Sequence, residues 1–335
     1  MDIILFMRKI LILGATGLVG QEVLKILEQR RFPVQELFLF ASERSEGTKV
    51  LFRNQEYEVS STYEEFIGKV DIVFGCLDEP LSREIIPKFK EECIVIDNSP
   101  AFRMDPEVPL VIPEINPHKI KEHKGIIANP NCSTIQMLVP LYPLHKKAKI
   151  KRIFVATYQS VSGYGKAAVE ELKLELEYIA ADQMVPKFED SVFPHQIGAN
   201  IIPQIGRFNE LGYTSEEMKM LNETRKIFDD DSILVSPTCV RIPVFYGHSE
   251  AVSVEFENPI SVEEAKEILK NAPGVILCEK DQDYPVPVQV AGKDEVFVGR
   301  IRKDFAFENG LTMWIVADNI RKGAALNVVQ IAELL

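Results

Sequence analysis

At 335 residues the chain exceeds the length over which a single hydrophobic core keeps growing, so two domains are expected. Hydrophobic residues at 46% and charged residues at 26% are ordinary soluble usage, which argues against disorder. A net charge of -12 argues against nonspecific binding to nucleic acid or to an anionic membrane, because both need a broad positive field.

No apolar run approaches the roughly 20 residues that span a bilayer. The stretch Met1-Asp2-Ile3-Ile4-Leu5-Phe6 lacks the basic and long apolar segments of an export signal. The five cysteines, Cys76, Cys93, Cys132, Cys239 and Cys278, are widely spaced without a C-x-x-C pair, so reduced thiols in a cytoplasm are expected. Apart from Cys132 they sit in apolar, strand-like stretches and read as core residues. A small anionic ligand remains compatible with the acidic chain, since it needs only a few placed cations such as Arg44, Arg103, Lys219 and Arg241.

In chain order, Lys9 to Leu13 reads as a strand, followed by a glycine cluster and a helix-spaced set, Leu18, Val19, Val23, Leu24, Ile26 and Leu27. Further buried-strand runs at Leu37 to Phe40, Val70 to Phe74, Ile94 to Ile96 and Ile126 to Ala128 predict a doubly wound parallel α/β sheet, Rossmann-like. A helix is predicted from Cys132 to about Lys146. Beyond it, alternating runs at Ile153 to Val161, Ala251 to Phe256, Glu295 to Arg300 and Leu311 to Ala317 predict a second α+β domain with a mixed or antiparallel sheet. Helices are predicted at Lys166 to Ala181, at Ser215 to Phe228, and at Ser261 to Asn271, where Ser261-x-x-Glu264 matches a capping box. An apolar helix from Gly323 to Leu335 is expected to pack back on the first domain. The expected division is 1–132 plus 319–335 for dinucleotide binding, and 133–318 for catalysis and dimerisation.

Gly14-Ala15-Thr16-Gly17-Leu18-Val19-Gly20 lies between a predicted strand and a predicted helix, the context a dinucleotide pyrophosphate needs at a helix N-terminus. Gly14, Thr16, Gly17, Leu18 and Val19 are the candidate contacts. After the second strand, Ser42, Arg44 and Ser45 offer two hydroxyls and a guanidinium for a 2'-phosphate, which favours NADP. Glu43 in the same turn could serve a ribose hydroxyl instead, as an NAD site requires.

Cys132 follows a strand inside Asn129-Pro130-Asn131-Cys132-Ser133-Thr134, at the N-terminus of a predicted helix. A thiol of pKa about 8.5 is only about 3% ionised at pH 7, and a helix dipole of about 0.3–1 kcal/mol lowers that pKa by less than one unit. A second group is therefore required, and histidine is the usual one. His118 and His123 lie in a charged segment, and His145 before Lys146-Lys147 reads as a solvated helix end, which leaves His195 and His248. The segment around His248 alone fits a structural histidine at least as well as a catalytic one.

Seven motifs occur in order: the glycine loop, Ser99-Pro100-Ala101-Phe102-Arg103, Asn129 to Thr134, Tyr158-Gln159-Ser160-Val161-Ser162-Gly163, Glu216-Glu217-Met218-Lys219, Arg241 to Glu250, and Ala317 to Ala324. With them the chain closely resembles the aspartate-semialdehyde dehydrogenase family over essentially its whole length. The resemblance implies that Cys132 attacks the aldehyde carbon, that His248 is general acid and base, and that Gln159 orients the reacting group. It implies that Arg241 holds the substrate α-carboxylate, that Glu216 faces its amino group, and that Arg103, Asn131 and Lys219 bind phosphate. Ser162, Gly163, Gly165 and Asn319 are implied in binding NADP.

The implied reaction is the reversible reductive dephosphorylation of L-aspartyl 4-phosphate to the semialdehyde, on the route to lysine, methionine and threonine, in a homodimer or dimer of dimers. Tyr164 departs from the pattern, being bulky where small residues are usual beside the nicotinamide, as does the extension before the first strand. Two other readings are an N-acetyl-glutamyl-phosphate reductase-like enzyme and a catalytically silent dinucleotide-binding paralogue. Intact Cys132, Gln159, Arg241 and His248 oppose the silent paralogue, and Glu216, useful only for a free amino group, opposes the reductase.

Overall fold

The computed structural model describes residues 7–280 and 282–335; the start at Met1 to Phe6, considered above for export and as an extension, lies outside them. The described residues up to Pro130, with Ala324–Leu335, form one compact unit, and Asn131–Gly323 form another. Asn131, Cys132 and the stretch 319–323 thus group with the second unit, whereas the expected division set them in the first. The physical reason is local: Cys132 opens a helix that packs on the second sheet, and Asn319 bonds to Ser160 and Ser162.

The first unit runs β1 (Arg8–Leu13), α1 (Leu18–Gln29), β2 (Val34–Phe40), β3 (Lys49–Phe52), β4 (Gln55–Ser60), β5 (Ile72–Gly75), α2 (Glu79–Ile85), β6 (Ile94–Asp97) and β7 (Ile126–Ala128). Its sheet order is β3-β4-β2-β1-β5-β6-β7, parallel throughout except for the antiparallel β3–β4 pair. β5 and β7 are buried along their whole length, as continuous apolar strands covered on both faces should be. The β3–β4 hairpin at the edge was not anticipated; its two-residue turn, Arg53-Asn54, has both φ values positive, the geometry that matches strand twist.

The chain winds from β1 outward to β2, then returns to place β5 on the other side, so the order reverses between β1 and β5. Ligands of open parallel sheets bind outside the carboxyl ends of the strands at such a reversal. Ile10, Ile12, Val23, Leu27, Leu39, Phe74, Ile96 and Ile127 pack with Leu326 and Val329 of the C-terminal segment in one core. Fully burying one such side chain is worth about 1.5–3 kcal/mol.

The second unit comprises α3 (Cys132–Ala148), β8 (Ile150–Gln159), α4 (Lys166–Ala180), α5 (Ser215–Phe228), β9 (Leu234–Arg241), β10 (His248–Phe256), α6 (Val262–Lys270), β11 (Val275–Leu277), α7 (Pro287–Val290), β12 (Val296–Lys303) and β13 (Gly310–Ala317). The order β11-β12-β13-β10-β8-β9 makes a mixed sheet, antiparallel from β12 to β8 and parallel at β8–β9 and β11–β12. The short final helix α8 (Leu326–Ala332) belongs to the first unit; it follows a π turn at Arg321–Ala325 rather than running as one helix from Gly323.

β10 alternates, with His248, Glu250, Val252, Val254 and Phe256 all buried on one face. Register then brings the site together. Gln159 pairs with Arg241, and His248 pairs with Ala317, so the ends of β8, β9 and β13 and the start of β10 meet at one edge of the sheet.

Candidate active site and dinucleotide loop

Asn131 is the N-cap of α3, and its Oδ1 accepts from the backbone N–H of Ser133 at 3.1 Å and of Thr134 at 3.3 Å. Cys132 is therefore the first residue of a capped helix, half-buried, where the dipole favours negative charge. It packs so closely on Gly323 that a Cβ there would lie 2.8 Å from its own Cβ, which explains the glycine and is a site feature the sequence reading missed. None of the five cysteines forms a disulfide among the described residues. Burial pushes the thiols of Cys76 and Cys93 up to about 12 and raises those of Cys239 and Cys278, so none is a ready nucleophile. Of the four expected core cysteines only Cys239 is fully buried; the other three are half-buried at element ends.

Thr214 caps α5 through a capping box with Glu217, which fixes Glu216 in the first turn of the helix. Glu216 is buried and accepts from Asn131 Nδ2 at 2.8 Å, Gln159 Nε2 at 3.1 Å and Lys219 Nζ at 2.9 Å. Burial by itself would raise its pKa. The Lys219 ammonium and these bonds outweigh that and hold it below the usual carboxylate range, so Glu216 is an anion. Glu216 is buried and Lys219 half-buried, so the pair is not the fully solvated i, i+3 pair the helix spacing alone suggests. Glu223, also missed from sequence, accepts from the backbone N–H of Asn131 at 2.6 Å.

Arg241, 3% exposed, ends β9 and donates from Nη1 to the Ser160 carbonyl at 2.6 Å. Burial lowers its pKa, while the negative charges of Glu216 and Cys132 act in the opposite direction. Arg241 is thus a cation whose charge acts on Cys132. Gly163 is exposed, and a Cβ on it would lie 3.1 Å from Arg241 Nη1 and 3.3 Å from His248 Nε2, so any side chain there would crowd both groups. Tyr164 lies to one side, its ring 5.9 Å from the Arg241 guanidinium and stacked at a tilt on Phe193.

His248 is fully buried at the start of β10, not in a loop. Its Nδ1 accepts from the Ser160 backbone N–H at 3.0 Å, which places the proton of the neutral ring on Nε2. Nε2 itself has no hydrogen-bond partner among the described residues. Burial, reinforced by the nearby Arg241 charge, pulls its pKa down to about 3, so the ring is neutral at working pH. Ser160 Oγ and Ser162 Oγ both reach Asn319 Oδ1, at 3.0 and 3.2 Å, and Gly247 N–H donates to the same oxygen at 3.0 Å. One amide hydrogen of Asn319 is bonded to Ser162, which leaves the other to offer. Gly165 has a φ of 92° and precedes α4. His195 is exposed, and His145, read as solvated, is half-buried, with its ring 4.8 Å from that of Phe228 and its Nδ1 accepting from Ile150 N–H.

The buried neutral histidine has a consequence for stability. The unfolded chain takes up this proton below about 6.5 and the folded protein only near 3, so stability is complete above 6.5 and is lost as the pH falls through that window. His248→Asn should remove this loss, about 1.4 kcal/mol per pH unit within the window. Chemical denaturation of both proteins from pH 7 to 4 reads the difference; parallel curves would contradict a buried neutral ring.

In the first unit, Gly14 follows β1 with a φ of 83°, and a Cβ there would lie 2.3 Å from the Cys76 carbonyl oxygen beyond β5. The loop therefore sits where the strand order reverses. Gly17 caps α1 without a side-chain bond, so the first helical N–H groups around Leu18 and Val19 face outward uncapped, as an anion-binding helix start requires. Thr16 Oγ1 lies 3.2 Å from Ser45 Oγ, which ties the glycine loop to the turn after β2, where Ser42, Glu43 and Arg44 are exposed. The cradle fits a dinucleotide: the helix start carries no side-chain cap, and the hydroxyls of Thr16, Ser42 and Ser45 and the Arg44 guanidinium belong to the loop and the turn tied to it. Arg103 is buried beyond β6 and donates to the Asn98 carbonyl at 2.8 Å. Burial pushes Asp97, at the end of β6, up to about 6, against the pull of its bonds from Ser99 and the Arg103 charge.

Among the described residues no helix is long and apolar enough to cross a membrane, and no cluster of metal-ligating side chains occurs. A family model described as the NAD binding domain of semialdehyde dehydrogenase matches residues 9–123, and one described as its dimerisation domain matches 141–322. An aspartate-semialdehyde dehydrogenase of Aquifex aeolicus is 57% identical over 98% of this chain and 97% of its own length. The structure of aspartate semialdehyde dehydrogenase II from Vibrio cholerae complexed with ASA superposes with a TM-score of 0.95 at 48% identity, over 98% of both chains. The enzyme from Candida albicans with NADP does so at 0.73 and 28% identity, again over 98% of both. The capped thiol, the ionised Glu216 with its three donors and the dinucleotide cradle agree with that likeness, and the chain belongs to the aspartate-semialdehyde dehydrogenase family.

Proposed function

We propose that the protein is an NADP-dependent aspartate-semialdehyde dehydrogenase that reduces L-aspartyl 4-phosphate through a thioester on Cys132. The reading rests above all on one observation: Cys132 opens a capped helix within the field of the buried Arg241 cation. A thiolate is stabilised there by both the helix end and the guanidinium. It attacks the acyl carbon of aspartyl phosphate, the C–O bond to phosphate breaks, and a thioester remains. NADPH, when bound at the glycine loop, supplies the hydride that reduces this thioester. The resulting hemithioacetal oxyanion collapses to the aldehyde and returns the thiolate, and the departing phosphate takes its proton from solvent.

His248 serves both oxyanions as a donor from Nε2. Complete proton transfer from a ring whose Nδ1 already accepts a hydrogen bond would leave an imidazolate, so we read His248 as a hydrogen-bond donor where the family resemblance implies a general acid and base. Gln159 adds one amide N–H. Arg241 takes the substrate α-carboxylate, and the remaining acceptor site on Glu216 Oε2 takes its ammonium. That carboxylate favours the aspartate derivative over an N-acetylated one, whose amide carries no charge. Arg103, Asn131 and Lys219 are assigned to phosphate. Ser162, Gly163, Gly165 and Asn319 are assigned to the cofactor. The match to a dimerisation-domain model supports a homodimer. Assembly through the second sheet, a cytoplasmic location and a place in lysine, methionine and threonine synthesis belong to the same reading.

Ser42, Arg44 and Ser45 favour NADP. Arg44→Ala should raise the KM for NADP about tenfold, equivalent to about 1.4 kcal/mol, and leave that for NAD nearly unchanged. Steady-state rates with aspartate semialdehyde, phosphate and each nucleotide test the activity and the preference together. Absence of phosphate-dependent nucleotide reduction would overturn the function, and equal KM changes for the two nucleotides would overturn only the role of Arg44.

A further inference from the structure

Thr157 is fully buried on β8, two residues before Gln159 on the same face of the strand. Its Oγ1 donates to Gln159 Oε1 at 3.0 Å. This bond ties down the oxygen end of the amide, while the ionised Glu216, which can only accept, fixes the nitrogen end. With Oε1 occupied by a hydroxyl donor, Gln159 turns Nε2 toward Glu216 Oε1, 3.1 Å away. The flipped amide would set its carbonyl against an ionised carboxylate and its N–H groups against the hydroxyl.

The same Glu216 oxygen accepts from Asn131 Nδ2, and Asn131 Oδ1 caps the helix that begins at Cys132. A continuous series of directed bonds therefore runs from Thr157 through Gln159, Glu216 and Asn131 to the N-terminus of the nucleophile's helix. Every member but the first carries a role in the reaction as read above; Thr157, in register with Cys239 on β9 and Glu250 on β10, was not singled out in the sequence.

We propose that Thr157 is a positioning residue for the reaction: its hydroxyl fixes the Gln159 amide so that one N–H is committed to Glu216 and the other is presented to the substrate. The inference rests on the reading of Gln159 as a substrate-orienting group. Without the hydroxyl the amide is held at one end only, by Glu216, and the side chain is no longer fixed against the substrate. A buried amide oxygen left without its donor also becomes a liability of its own.

Thr157→Val keeps the shape of the side chain and removes the hydroxyl, whereas Thr157→Ser keeps the hydroxyl. We expect Thr157→Val to lower kcat/KM for aspartate semialdehyde about tenfold, the loss of about one hydrogen bond, with the KM for NADP unchanged. Thr157→Ser should restore most of the activity. The Gln159 side-chain amide resonances in ¹⁵N spectra, assigned with Gln159→Leu, should broaden or split in Thr157→Val and remain single in Thr157→Ser. Should Thr157→Val not fold, Thr157→Ala carries the same comparison. Unchanged activity and unchanged amide resonances in a folded hydroxyl-less variant would overturn the proposal. Full activity in Gln159→Leu would instead overturn the reading of Gln159, so the two failures are distinct.

Discussion

Replacing Cys132 with Ser should reduce phosphate-dependent nucleotide reduction by at least about 1,000-fold, the scale of losing a covalent nucleophile while binding survives. The substitution changes one atom and leaves the local fold intact, because Asn131 makes the capping bonds and neither donor belongs to Cys132. A serine hydroxyl at the same place gains the same helix end and the same Arg241 charge. Those fields move a pKa by a few units, enough to ionise a thiol but not an alcohol. Binding of NADP to the glycine loop should persist in the variant, and loss of that binding would show that folding, not chemistry, had failed.

Arg241→Leu should lower kcat/KM for aspartate semialdehyde by about 100-fold or more, since truncating a buried charge pair costs about 2–5 kcal/mol. Three effects combine. The substrate carboxylate loses its bidentate partner, the Cys132 thiolate loses its cation, and the Ser160 carbonyl loses a donor at 2.6 Å. The Ser160 effect matters indirectly, because the N–H of that residue sets the proton on His248. Arg241→Lys keeps the charge without the fork and should recover only part of the loss. An unchanged KM for the aldehyde in Arg241→Leu would remove its assigned role.

The sequence was informative where one local rule determines the outcome. The strand-glycine-helix pattern at Lys9 to Leu27, the helix opening at Cys132 and the capping box at Ser261 each express backbone chemistry within a few residues, and each appears in the structure. The β3–β4 hairpin was missed because its strands are short and half-exposed, and its turn uses Arg53-Asn54 with no glycine to mark it. β9 was missed because Pro237 and polar alternation obscure a strand that is buried only by its neighbours.

Within the site, the residues named by motif, Asn131, Gln159, Glu216 and Lys219, do bond to one another. What could not be read was how they are wired. That Glu216 is an anion with three donors, that His248 is neutral, and that Thr157, Glu223 and Gly323 support them are consequences of strand register and helix placement, which no spacing within one segment encodes. Glu250 is a further example. Buried on the His248 face of β10, with no hydrogen-bond partner for either carboxyl oxygen among the described residues, it has a pKa raised well above the usual carboxylate range by burial, which nothing in the sequence signals.

The thioester on Cys132 is the central claim, and omitting phosphate isolates it. Enzyme mixed rapidly with aspartate semialdehyde and NADP, then quenched in acid and digested for mass spectrometry, should release NADPH stoichiometric with active sites in a burst. It should also carry an aspartyl group on the peptide containing Cys132. Steady NADPH production without phosphate and without a burst, or an acyl group on any residue other than Cys132, would contradict it.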